Sequence, residues 1–152
     1  MKRGELVYFS RRPGSDFPYH VGFDLGNNQI LMLTGGKVAS VDLKSYLNKT
    51  GYGIVGYADI SNYVTPCEFK KNVMDEKDSL EANFRNWDPS GTMCVDVIIA
   101  GFGNSYSRLK NDIRQNYGMN SNSYPTDINN AYFWRRNTTY VQFFKGTGKF
   151  RR

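Results

Sequence analysis

Tyr19-His20-Val21-Gly22-Phe23-Asp24-Leu25-Gly26-Asn27-Asn28-Gln29-Ile30-Leu31-Met32-Leu33 is the stretch that decides the fold class. Residues 19–25 alternate and are rich in aromatic and aliphatic side chains. Gly26-Asn27-Asn28 tolerates positive φ, and residues 29–33 are apolar again, so the stretch predicts a β-hairpin. Outward from it, residues 5–10 form a short strand, and Arg11-Arg12-Pro13-Gly14-Ser15-Asp16 an exposed loop. On the other side Thr34-Gly35-Gly36 turns the chain and residues 38–41 form a short strand. Residues 42–47 start a short helix, capped by Asp42 or Ser40 and stopped near Gly51. Residues 52–60 alternate as a further strand, so the first sixty residues make one compact β unit.

The remainder is predicted to be more helical. Residues 68–85 carry dense mixed charge, the pattern of a solvated helix or a long surface connection. Residues 92–102 have the apolar density of a buried helix; Val97-Ile98-Ile99 alone would suit a strand, but Asp88, Ser90 and Thr92 are acceptable helix caps. Residues 105–116 read as an amphipathic helix ending at Gly118, 120–125 as a loop, 127–135 as a short helix starting from Thr126, and 138–144 as a last strand. No repeat or linker divides the chain, which predicts a single α+β domain over residues 1–152.

Composition narrows the chemistry. The 152 residues carry 20 basic and 14 acidic side chains, one histidine and two cysteines. His20, Cys67 and Cys94 cannot fill a usual four-ligand zinc, haem or iron–sulfur site, so neither metal nor cofactor is expected. No phosphate loop or Rossmann glycine pattern is present. The apolar run at residues 6–9 is too short for a secretory signal, and no segment approaches the roughly 20 apolar residues of a membrane span. The expectation is a soluble cytoplasmic or virion-associated chain in a reducing compartment. Its aromatic content of 15% is compatible with a phage or viral protein.

Gly4-Glu5-Leu6-Val7-Tyr8-Phe9, the His20-Val21-Gly22 strand ending at Gly26-Asn27, the Asp42-Leu43-Lys44 helix start and Gly53-Ile54-Val55-Gly56-Tyr57 follow one another in a telling order. Over residues 3–60 this order resembles the histidine half of the NlpC-like superfamily of papain-fold cysteine hydrolases. Because the histidine strand comes first, the similarity is to the circularly permuted branch, with its YiiX-like and lecithin:retinol acyltransferase-like proteins, in which the cysteine helix follows. The resemblance implies a permuted papain-like fold, a small antiparallel sheet packed against a cysteine-bearing helix. It also implies a catalytic Cys94 and His20, with Asp96 two positions after the cysteine.

The chemistry asks for the same arrangement. A thiol with a pKa of about 8.5 needs an adjacent imidazole or a helix amino terminus to attack as thiolate. With Ser90 or Thr92 as cap, Cys94 lies in the first helical turns, and backbone N–H groups around Thr92 and Met93 are oxyanion candidates. Relatives orient the imidazole with a polar residue on the next strand; that position falls at Met32, which cannot fix a tautomer strongly, leaving Asp24, Gln29 or Thr34 as orienting candidates. Residue by residue, Cys94 also fits an inert buried cysteine and His20 a structural histidine. Cys67, in a polar stretch, lacks both helix and pattern.

Arg135, Arg136, Lys145, Lys149, Arg151 and Arg152 fall in the last eighteen positions with no acid among them. They fit a solvated tail, or a basic surface for a wall polymer, a nucleic acid, an acidic membrane surface or another virion protein. The expectation is a cysteine hydrolase cleaving an amide or peptide bond of a cell-wall peptide, with a lipid ester or thioester as the other substrate class of the permuted branch. The alternative is a catalytically inactive papain-like domain serving as a phage or viral structural or binding protein.

Overall fold

The computed structural model describes residues 3–84, 91–120 and 127–152. Strands β2 (His20–Gly26) and β3 (Gln29–Thr34) pair antiparallel around a two-residue loop. Asn27 and Asn28 occupy that loop with φ of 54° and 60°, the conformation that a type I′ hairpin turn demands and that asparagine adopts more readily than other side chains. β1 (Glu5–Ser10) flanks β2, β4 (Lys37–Asp42) extends β3, and β5 (Gly53–Asp59) pairs with the free edge of β1. A two-residue strand, β6 (Phe150–Arg151), completes an antiparallel sheet of order β4-β3-β2-β1-β5-β6.

Both faces of the sheet are covered, which is why every residue of β1 is buried. On one face α1 (Leu43–Thr50) starts where the Asp42 carboxylate accepts the Ser45 N–H at 3.0 Å, and Gly51 ends it in the left-handed region. Its Tyr46 closes a small core with Val7, Phe9, Ile30 and Met32. On the other face lie α2 (Pro66–Ala82), α3 (Cys94–Phe102), α4 (Tyr106–Asn120) and α5 (Asn137–Gly146). Leu6, Tyr8, Val21, Phe23 and Leu31 of the sheet join Phe69, Val97, Phe102, Leu109 and Phe144 of these helices in the larger core.

The charged segment after residue 65 is a helix, opened by a capping box in which Thr65 and Glu68 satisfy each other's backbone N–H. It buries Phe69 and Val73, and the Phe69 ring stacks on Phe23 at 3.9 Å. Three expectations are corrected. Residues 138–144 are not a strand but part of α5: Tyr140, Phe143 and Phe144 are buried at i, i+3 and i+4, a helical spacing that the β-favouring residue types obscured. The last strand is β6 instead. Residues 127–135 form two short 3-10 turns, Asp127–Asn129 and Ala131–Arg135, separated at Asn130, whose side chain accepts the Tyr132 N–H; and α4 runs on through Gly118 to Asn120. Asp88, Ser90, Thr126 and, apart from Asn120, the loop expected at 120–125 lie outside the described residues. Among the described residues no helix is long and apolar enough to cross a membrane.

Gly101 sets the approach of α2 to α3. A Cβ there would lie 2.3 to 2.5 Å from three atoms of the Phe69 ring, which is itself fully buried between Phe23 and Phe102 and has nowhere to retreat. Glycine to alanine in an exposed helix gains about 1 kcal/mol. Gly101→Ala is expected to reverse that sign and lose about 1–3 kcal/mol by overpacking, measured as a lower midpoint in urea unfolding.

Candidate active site

Cys94 is the first residue of α3, and Met93, not the expected Ser90 or Thr92, is its N-cap. Methionine has no oxygen to offer the helix, so the cap is made from inside it. The Asp96 carboxylate, three residues on, accepts the Met93 N–H at 2.7 Å. Arg135 donates to the same carboxylate oxygen at 2.8 Å and to the carbonyl of Gly91. The Thr92 N–H is given to the Asn83 carbonyl at 3.0 Å. The N–H groups of Thr92 and Met93 are therefore both engaged and unavailable to an oxyanion. The Cys94 N–H, by contrast, has no acceptor among the described residues, as befits a first-turn donor.

The thiol is seated at the start of β2. The backbone N–H groups of Val21 and Val95 point to Sγ, and Asn137 Nδ2, from the first residue of α5, lies 3.7 Å from it. Asn137 Nδ2 also donates to the Pro18 carbonyl at 3.2 Å, so one amide ties the cysteine helix to the backbone leading into His20. Its Oδ1 is buried without a partner among the described residues. Asn137 was not foreseen from sequence: an asparagine after two arginines carries no pattern, and its place depends on α5 folding back onto β2.

His20 is only 9% exposed and lies on the α1 face, between the rings of Phe9 and Tyr46 at 5.8 and 6.0 Å. Its Nε2 is 3.3 Å from Met32 Sδ. Thioether sulfur only accepts, so the contact is a hydrogen bond in the tautomer that carries the proton on Nε2, which has Nδ1 as its basic nitrogen. Gly22 makes the contact feasible, because a Cβ there would meet Ile30 Cγ2 at 2.4 Å and press on Met32. The polar orienting candidates are elsewhere. Asp24 accepts the Gly26 N–H at 2.7 Å, and Gln29 pairs with Gly26 and Asp42, all at the hairpin end of the strands. His20 and Cys94 share no hydrogen bond among the described residues. They converge on the first residues of β2 from opposite layers.

Burial pushes the His20 pKa down to about 4 and the Cys94 thiol up, against the pull of Asn137 and the Val21 and Val95 amides and with the Asp96 carboxylate adding to the rise. The resting pair is therefore thiol and neutral imidazole.

The basic residues near the carboxyl end are dispersed. Arg135 is internal to the α3 cap, Arg151 pairs with Glu5 at 2.7 Å, and Arg152 pairs with Asp16 at 2.9 Å. Arg136 lies over the Tyr132 and Phe133 rings, Lys145 over Phe150, and Lys149 lines a cavity with Tyr63 and Asp112. No protein-family model, curated protein or solved structure matches the chain.

The His20 shift has a stability consequence. A base whose folded pKa lies below its unfolded value binds fewer protons when folded, so its contribution is complete above about pH 6.5 and is lost as pH falls towards about 4. His20→Gln is expected to flatten the acid limb of stability by on the order of 3 kcal/mol between pH 6.5 and 4, measured as urea unfolding against pH.

Proposed function

We propose that the chain is a cysteine hydrolase of the permuted papain-like kind, cleaving an amide or peptide bond through Cys94 and His20. One observation carries this: the sulfur at the first position of α3 docks against the amide that follows His20 in β2. The nucleophile thus rests against the strand that begins with the only imidazole of the chain, while the ring itself packs on the α1 face against Phe9 and Tyr46.

Because both groups rest neutral, His20 Nδ1 would take the thiol proton as Sγ attacks the carbonyl carbon, in the manner of a general base. The C–S bond forms and the carbonyl becomes a tetrahedral oxyanion, for which the Cys94 N–H, without an acceptor among the described residues, and Asn137 Nδ2 are candidate donors. Collapse expels the amine, which takes the proton back from His20. Water, deprotonated by the same imidazole, then releases the acid from the thioester. The resemblance in the histidine half supports a cell-wall peptide as substrate. The second reading, an inert papain-like domain with a binding or virion role, is favoured by the thioether that stands where a polar partner for the imidazole is expected.

Purified cell-wall peptides incubated with the protein are expected to be cleaved, with an acyl adduct on Cys94 seen by intact mass after acid quench. Cys94→Ala and His20→Ala should each lower turnover at least about a thousandfold with folding intact. Cys67→Ala, exposed near the start of α2, should turn over normally. The rate should rise through about pH 4 as His20 loses its proton and be flat from there to neutrality. A folded protein that forms no adduct with these peptides or with a thioester would leave the inert-domain reading.

A further inference from the structure

The loop of residues 11–19, which leads into His20, is braced by its own hydrogen bonds. The Ser10 hydroxyl and the Ser15 N–H donate to the Arg12 carbonyl at 2.7 and 3.3 Å, and Ser15 Oγ accepts the Phe17 N–H at 3.3 Å, so its shape is fixed internally. Within that frame Phe17 and Tyr19 are 62% and 45% exposed, an unusual outlay of apolar surface on a short ordered loop. Arg11, Arg12, Ser15 and Phe17 line a cavity of about 460 Å³. The Arg11 guanidinium stacks over the Tyr19 ring at 5.3 Å, and among the described residues neither Arg11 nor Arg12 has an acidic partner. The only acid of the loop, Asp16, is taken by Arg152. Elsewhere Arg135 and Arg151 are paired with Asp96 and Glu5.

A row of packed aromatic rings runs from beside the cavity to His20. Tyr19 meets Tyr52 edge-on at 5.7 Å, Tyr52 meets Tyr46 at 5.7 Å, and Tyr46 lies against His20. Two planar guanidinium groups without an acid, beside an exposed ring, are complementary to a carboxylate carried on an apolar stem. We propose that this cavity is a substrate subsite for an acidic residue of a peptide, its carboxylate held by Arg11 and Arg12 and its apolar part resting on Phe17 and Tyr19. The hollow shape, and the fixing of Tyr19 between Arg11 and Tyr52, favour a discrete peptide group over a lipid surface, which would meet a protruding and adaptable patch. The subsite rests on the hydrolase reading for the bond that is cut, but not for binding.

Binding is tested apart from turnover by isothermal titration of the Cys94→Ala protein with the blocked peptide acetyl-Ala-Glu-Ala-Ala-amide and its Gln counterpart. The Glu peptide should bind at least about tenfold tighter at low salt. Added salt should narrow that margin, and Arg11→Gln with Arg12→Gln should abolish it. Both arginines are exposed and make no ion pair among the described residues, so the double variant should melt with the parent protein. Equal affinity for the two peptides, or a Glu preference that survives the double variant, overturns the subsite. So does binding to phosphatidylglycerol vesicles that needs the arginines while neither peptide binds. If the Glu peptide binds as stated yet the wild-type protein never forms a Cys94 adduct, the subsite stands and the hydrolase reading falls. If the adduct forms without Glu preference, the reverse holds.

Discussion

The Asp96 carboxylate accepts hydrogen bonds from two directions, the Met93 N–H inside its own helix and the Arg135 guanidinium from the turn before α5. The first replaces the side-chain cap that methionine cannot supply and so determines that α3 begins at Cys94, with the thiol at the helix mouth. The second binds the carboxyl-terminal third of the chain to that same turn, and Asn137 follows Arg135 by two residues. This clamp, with the buried face of α5, places the Asn137 amide near both the sulfur and the Pro18 carbonyl. The geometry at the thiol is thus assembled from three remote parts of the sequence: the loop before β2, the start of α3 and the start of α5.

That dependence explains what was legible in the sequence. The β unit was readable almost to the residue because its signals are local. Asn27 and Asn28 declare a type I′ turn, Asp42 and Gly51 bracket α1, and alternation places the strands between them. Cys94 and His20 stood out because the chain has one imidazole and two thiols. Asn137 and the Met93 cap were invisible, since both are defined by partners forty or more positions away or by a carboxylate doing work usually assigned to a cap residue. The misread strand at 138–144 has the same origin. Its β-branched and aromatic residues have strand propensity, but burial against the sheet selected the helical spacing of Tyr140, Phe143 and Phe144.

The basic residues teach a related lesson about charge. Counted along the sequence, six cations gather near the carboxyl end. Folded, Arg135, Arg151 and Arg152 are matched to acids from α3, β1 and the 11–19 loop. Net charge therefore says little about where a cation is free to meet a ligand. Arg11 and Arg12, inconspicuous in a turn-rich stretch, have no acidic partner among the described residues and lie beside exposed rings in a shared cavity wall.

Burial at the seam moves both titrating groups toward neutrality, lowering His20 and raising Cys94, so the order of their pKa values is the reverse of that in a preformed thiolate–imidazolium pair. Under the proposed chemistry the thiolate would then exist only as attack occurs, and its charge would pass directly to the oxyanion, near the Cys94 N–H and the Asn137 amide. Met32 does not oppose that order. An oxygen acceptor in its place would stabilise the imidazolium and lift the His20 pKa, whereas a thioether accepts the Nε2 proton weakly and repels water. Burial thus sets the protonation state, and the ring is held by packing between Phe9 and Tyr46 rather than by a strong hydrogen bond.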